Sequence, residues 1–360
     1  MLGAGAAHLE FLSRWAKRPV PGVRITLIAR AERYFEPALV PYAVAGDHDM
    51  SRLVIDIEPL AQRAKAVWTD AQVQALDATA KAILLDDGRE LRYDWLGVDQ
   101  EPAQMRAHAD IAMPGARKNG LFVRPLEAFA MLWPKVVGMA QPTPVRVAVI
   151  ADQMGGLPAL ELAFATRERL PGAALTLITG GEPLALSLAE PLRQRLASLL
   201  RARNITVLAD RATAIDPGEV ALGSGARLAC DVPLMITRAH APAWMAQSGL
   251  QLDADGFVAV DDCLRAASHT NVFCNAGPLG FDALHADARA ALIAGNLMAV
   301  ACGKPLSRSR SKSITMLRYG KGQALASWGS VCLQGYLPGW FKARADSRLT
   351  RICHTHLTGD

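Results

Sequence analysis

The sequence predicts an α/β fold with two parallel-sheet units, the second inserted in the chain of the first, followed by a small C-terminal α+β region. Three observations lead there. The first is a repeat. Leu9-Glu10-Phe11-Leu12 opens a helical stretch that passes Lys17 and Arg18, turns at Pro21-Gly22 and enters the apolar run Ile25-Thr26-Leu27-Ile28. Leu160-Glu161-Leu162-Ala163 does the same, through Arg167, Arg169 and Pro171-Gly172 into Leu175-Thr176-Leu177-Ile178. Helix, turn and strand thus recur almost in register, which marks a duplicated unit.

The second observation is a hairpin that follows each copy. Ala82-Ile83-Leu84-Leu85 turns at Asp86-Asp87-Gly88 into Glu90-Leu91-Arg92, and Tyr93-Asp94 leads into Trp95-Leu96-Gly97-Val98. In the second copy Val220-Ala221-Leu222 turns at Gly223-Ser224-Gly225 into Arg227-Leu228-Ala229, and Cys230-Asp231 leads into Val232-Pro233-Leu234-Met235-Ile236. Glycine supplies the positive φ such turns need, and short unalternating apolar runs suit strands covered on both faces. Each half therefore reads as a parallel Rossmann-like sheet with a small antiparallel layer set into it.

The third is glycine placement. Glycines precede both helices, where a strand-to-helix turn offers free N–H groups and a positive dipole end to a pyrophosphate. The first loop is Gly3-Ala4-Gly5-Ala6-Ala7-His8, with a tight-turn glycine, a close-approach glycine, and His8 in place of a third glycine. The second follows Val147-Ala148-Val149-Ile150 and reads Ala151-Asp152-Gln153-Met154-Gly155-Gly156, with only Gly156 on a fingerprint position. Gly3 follows only Met1 and Leu2, whereas the second loop follows a full strand. This points to a start upstream of Met1; the alternative is a unit built without its middle strand, its loop poorly anchored.

The order of these elements resembles the flavoproteins with two dinucleotide-binding domains: pyridine nucleotide-disulfide oxidoreductases, type II NADH dehydrogenases and, most closely, the flavoprotein module found alone or fused to selenide, water dikinase. The resemblance is carried by Gly3 to Arg30, Ile55 to Leu60, Gly88 to Asp94, Asp255 to Asp261, His269 to Phe273 and Ala324 to Gly329. It implies FAD on the first domain and NADH or NADPH on the second. Hydride passes from nicotinamide to flavin and on to a small-molecule acceptor of the quinone type. It places Gly3, Ala4, Gly5, Ala6, Ala7, His8, Arg30 and Gly277 at the flavin nucleotide, and Gly155, Gly156 and Glu182 at the nicotinamide nucleotide. The flavin and nicotinamide carry the chemistry, so no side chain is singled out as catalytic.

Several cofactor positions depart from the family. Ala276-Gly277-Pro278 stands where an aspartate normally follows the glycine, and losing that hydrogen bond costs roughly 1 to 3 kcal/mol. Val98-Asp99-Gln100 and Ile236-Thr237-Arg238 replace Ala-Thr-Gly elements, and Glu32 arrives late for a ribose. The helix after Phe281 lacks the family's glutamine near the flavin. A second reading therefore stays open: a non-catalytic or flavin-only relative that serves as a binding scaffold.

The remaining features bound these readings. The chain has 360 residues, 51% of them hydrophobic, enough for two domains and a tail. The first domain is expected over 1–110 and 238–303, the second over 120–237 and the tail over 304–360. Its longest apolar window, Ala290 to Gly303, is too short to cross a bilayer and reads as a buried helix. The six cysteines are scattered and none precedes Cys230, so there is neither a disulfide framework, a metal site nor a redox cysteine pair in the first domain. A reducing cytoplasm suits this pattern. The region from Lys304 holds ten basic and two acidic residues, and makes the whole chain basic. Aromatic residues interleave with that charge, leaving open a terminal layer packed on the flavin domain with solvated basic residues, a dimer contact, and peripheral contact with the inner face of an anionic membrane. No recognition fold accompanies the charge, which argues against nucleic acid.

Overall fold

A computed structural model describes residues 1–99, 113–141, 143–151, 156–181, 188, 190–236, 241–275, 283–309, 314–329 and 331–354. The first unit opens with helix α1 (Ala6–Lys17), followed by β1 (Thr26–Ile28), β2 (Arg33–Phe35), α2 (Val40–Ala45), β3 (Val54–Asp56), α3 (Ile57–Arg63) and β4 (Val67–Thr69). The antiparallel layer β5 (Val73–Asp77), β6 (Ala82–Leu85) and β7 (Glu90–Arg92) comes next, then β8 (Leu96–Val98). The second unit repeats the plan with α4 (Ala116–Asn119), β9 (Leu121–Phe122), α5 (Leu126–Met139), β10 (Arg146–Ala151), α6 (Gly156–Arg169), β11 (Ala174–Ile178), α7 (Glu190–Ala202) and β12 (Ile205–Leu208). Its own antiparallel layer is β13 (Ala212–Asp216), β14 (Glu219–Leu222) and β15 (Arg227–Ala229), followed by β16 (Val232–Ile236). The chain then returns to the first unit with β17 (Val272–Cys274) and α8 (Ala283–Ala301).

The two sheets match lane for lane. The second runs β12-β11-β10-β16-β9, all parallel. The first pairs β4 with β1 and β17 with β8, and its middle lane is held by Met1 and Leu2. Leu2 bridges in parallel to both Ile28 and Val98, with hydrogen bonds from Leu2 N to Gly97 O (2.8 Å) and from Asp99 N to Leu2 O (2.9 Å). Gly3 N donates to Ile28 O at 2.8 Å. The alternative of a unit lacking its middle strand, with a loose loop, is thereby corrected: two residues bridge β1 and β8 and anchor the glycine turn on both sides. Leu2 is fully buried among Ile28, Leu96, Val98 and Val272, which explains how so short a strand holds.

The C-terminal region is an antiparallel sheet of β18 (Thr315–Gly320), β19 (Gln323–Trp328) and β20 (Val331–Gly335), followed by α9 (Tyr336–Asp346) and α10 (Arg348–His354). Packing on the flavin domain alone was one of the placements left open, but the region packs on both units. Leu317, Tyr319 and Leu325 join the core of the second unit beside Phe164 of α6, while Leu349 and Cys353 of α10 join α1 in the core of the first. Its basic residues are not all solvated either. Arg318 and Lys342 are each 2% exposed. Arg318 pairs with Asp47 (2.6 Å) and Glu168 (2.8 Å), and Lys342 with Glu161 (3.1 Å) and Asp346 (3.0 Å). Arg348 closes on Glu10 of α1. A buried cation is stable only when paired and hydrogen-bonded, so these ion pairs join the tail to both units. No described helix is long and apolar enough to cross a membrane.

Candidate dinucleotide-binding site

The glycine turn of the first unit is built as its sequence requires. Gly3 has φ 85°, a left-handed conformation that glycine adopts without steric cost. Gly5 is extended, with φ −75° and ψ 176°, and caps α1. The space beside its α-carbon is occupied, because a Cβ there would run into the carboxylate of Asp99 at the end of β8. Asp99 is 3% exposed. Its Oδ2 accepts from Ala7 N at 2.7 Å, its backbone O accepts from Gly5 N at 3.0 Å, and its Oδ1 accepts from Asn275 Nδ2 at 2.9 Å. One carboxylate thus satisfies an N–H of the first helical turn, where negative charge is favoured by the dipole. The close-approach glycine makes room for this strand as well as for anything bound above it.

Two N–H groups of the same turn stay open. Among the described residues those of Ala4 and Ala6 have no acceptor. Ala4 lies in the wall of a cleft of about 280 Å³ that is also lined by Gly3, Ala29, Arg30, Gln72 and Glu127. This is at the small end of the range for ligand pockets, with room for one end of a dinucleotide and not the whole. Arg30 reaches across to pair with Asp86 on the hairpin turn, and both side chains are partly exposed. Glu32 uses its backbone O to accept from Ile57 N at 3.0 Å.

His8 sits elsewhere than expected. It is fully buried, with Nδ1 bonded to Gly3 O at 2.6 Å and Nε2 without a hydrogen-bond partner. A Cβ on Gly97 of β8 would strike that Nε2. The ring therefore lies in the α1–β8 interface, and not at the mouth of the loop as the sequence suggested. Burial holds its pKa down at about 3, so it stays neutral.

Beneath the turn, Asn275 follows β17, and its Oδ1 faces Arg289 Nε of α8 at 3.4 Å. Arg289 lies near Asp99 and Cys274, and burial lowers its pKa. The Cys274 thiol is pushed up by burial and by the Asp99 charge, which makes it a structural thiol with no nucleophilic character at neutral pH. Two residues before Arg289, burial raises the Asp287 carboxyl to about 7, and its Oδ2 has no hydrogen-bond partner among the described residues. Asp99, Asn275 and Arg289 were not foreseen as a group, since they come from three distant stretches of chain.

The second loop is described only in part. Gly156 opens α6, and a Cβ there would meet open space. Gly180 and Gly181 turn the chain after β11 with φ 79° and 95°. Gly155, Glu182 and Gly277 lie outside the described residues. Among those described, no three His, Cys, Asp or Glu side chains cluster to hold a metal.

The family described as pyridine nucleotide-disulphide oxidoreductase matches residues 1–276. The chain belongs to that family. Solved structures of the same fold include the sulfide:quinone oxidoreductase of the hyperthermophilic bacterium Aquifex aeolicus, at 17% identity, with 98% of this chain and 90% of that one covered and a TM-score of 0.79. NDH2 from Plasmodium falciparum, in complex with NADH, aligns over 99% of this chain and 97% of its own, at 13% identity and a TM-score of 0.72. Putidaredoxin reductase in its covalent complex with putidaredoxin aligns over 91% and 81%, at 18% identity and a TM-score of 0.71. A search of curated sequences finds no match to the chain. At these identities the structural neighbours establish the fold alone. The residues present at the first loop fit the adenosine and pyrophosphate end of the family's FAD: a left-handed glycine turn, two open N–H groups, a helix N-terminus and an adjoining cleft.

Proposed function

We propose that this member of the pyridine nucleotide-disulphide oxidoreductase family binds FAD on its first unit. On this reading it takes reducing equivalents from NADH or NADPH held on its second unit and passes them to a small-molecule acceptor of the quinone type. The observation that carries the reading is the Gly3–Ala6 turn, whose Ala4 and Ala6 N–H groups have no acceptor among the described residues and whose Gly3 and Ala4 line a cleft. When bound, FAD supplies the hydride-accepting ring, and the chain's own residues bind and orient. Ala4 and Ala6 would donate to pyrophosphate oxygens and Arg30 would close the ribose side, while Asp99 holds the turn in shape through Ala7 and Gly5. No cysteine precedes Cys230, so electrons leave the first unit without a protein disulfide. Exposed Leu333, Tyr336, Leu337 and Phe341 of the C-terminal region support peripheral contact with a membrane that dissolves such an acceptor.

The position of Asp99 favours a second reading. A carboxylate already seated against Gly5 repels a pyrophosphate, as in a scaffold that no longer turns over. Anaerobic mixing of FAD-loaded protein with NADH or NADPH, followed by a soluble quinone, separates the two. Bleaching by one nucleotide and recovery of colour with quinone supports the enzyme. Flavin that stays oxidised with both nucleotides removes it in favour of the scaffold.

A further inference from the structure

Between the C-terminal helices and the segment after α2 lies a groove of about 680 Å³. Its lining includes Arg52, Arg344, Arg351, His48, His354 and Trp340, with no carboxylate among the described residues. We propose that this groove binds a phosphate-bearing anion, the chemistry shared by an anionic phospholipid headgroup and a soluble phosphate ester. The site goes beyond the redox reading and does not depend on it.

The contrast with the inner side of the same helices is what singles the groove out. There Lys342 is matched by Glu161 and Asp346 and Arg348 by Glu10, while Arg318 of the neighbouring β18 is matched by Asp47 and Glu168. On the groove side Arg52 and Arg344 make no salt bridge among the described residues, although both are exposed and free to take partners. The arginines are also held in place. Arg351 donates to the backbone O of Arg344 at 2.9 Å and of Ser347 at 3.3 Å, and Arg344 lies over the Trp340 ring at 5.9 Å. His48 stacks on Tyr42 at 5.6 Å and its Nδ1 donates to Asp47 O at 2.8 Å, while His354 Nε2 meets Val54 O at 3.0 Å. The exposed Arg52 and Arg344 guanidiniums on one groove suit the bidentate geometry of phosphate oxygens, with Arg351 beside them in its lining. Trp340 is 57% exposed at the rim and continues into the apolar side chains of Leu337 and Phe341, which would meet the acyl boundary if the anion is a headgroup.

The test uses the full chain and reads Trp fluorescence and vesicle co-sedimentation. The probes are inorganic pyrophosphate, neutral phosphatidylcholine vesicles, and phosphatidylcholine vesicles containing phosphatidylglycerol. Saturable binding to pyrophosphate or to the anionic vesicles, weakened at least tenfold in R344A/R351A and by added salt, supports the site. R344K/R351K, which keeps the charge, should lose less, and Arg52→Ala gives an independent variant should the double substitution impair folding. Binding to anionic vesicles alone identifies a headgroup as the source; binding to pyrophosphate alone identifies a soluble ester. The proposal is overturned if neither probe binds, if neutral vesicles bind as well as anionic ones, or if the arginine variants bind as the native chain does. The last outcome would also reveal pyrophosphate seated at the glycine turn instead.

Discussion

Replacing His8 by asparagine should flatten the acid side of the stability profile. The ring's Nδ1 is bonded to Gly3 O, and its Nε2 is buried against Gly97 with no acceptor, so a second proton has nowhere to go in the folded state. Burial therefore depresses its pKa from 6.5 to about 3. The unfolded chain takes up a proton near 6.5 while the folded chain refuses it. Stability from this group is thus complete above pH 6.5 and is lost as pH falls toward 3. At about 1.4 kcal/mol per pH unit, the loss is about 2 kcal/mol by pH 5 and approaches about 5 kcal/mol by pH 3. Asparagine keeps a donor for Gly3 O and does not titrate. The buried Met1 amine, held down at about 5, acts in the same direction, but it is common to both proteins and cancels in the comparison. Urea unfolding at pH 7.5 and pH 5.0, followed by Trp fluorescence, reads the difference. The native chain should lose about 2 kcal/mol more than H8N between the two conditions. Equal losses would refute the placement of the ring.

Other substitutions probe the neighbouring features. Gly5→Ala sets a Cβ into the Asp99 carboxylate and should lower the unfolding free energy by about 1 to 3 kcal/mol in a urea titration, with a smaller loss when Asp99 is also changed to glycine. Lys342→Met leaves Glu161 and Asp346 buried without their cation and should cost about 3 to 5 kcal/mol by the same measurement. Asp287→Asn works in the opposite direction from His8. Its carboxyl is raised to about 7, so the folded state holds a proton that the unfolded state has released, and native stability falls as pH rises from about 4 to 7. The asparagine variant should therefore gain stability over the native chain at pH 8 and match it near pH 4, as thermal unfolding at the two pH values would show.

Much of the architecture was legible because it is local and repeated. Short apolar runs between glycine turns mark the strands of both sheets, and the sequence shows them twice. What it could not show depends on pairs far apart in the chain. His8 looked like a phosphate neighbour because it stands where a third glycine packs helix on strand. The structure moves that role to Gly97, whose missing side chain admits the imidazole. Asp99 read as a damaged cofactor element, yet it ties Ala7, Gly5 and Asn275 together, a function visible only when β8, α1 and β17 are side by side. The basic tail looked uniformly solvated because sequence gives charge without orientation. Arg318 and Lys342 point inward to acids on α6 and α9, and Arg344 points outward.

The central claim is that the first glycine turn still receives FAD despite the carboxylate beside it. Equilibrium titration of the full chain with FAD, read by quenching of flavin fluorescence, tests it most directly. Saturation at one flavin per chain, with ADP competing for the same turn, is the predicted result. A chain that shows no saturable uptake, and whose D99N variant does, would contradict it and make Asp99 the residue that closed the site.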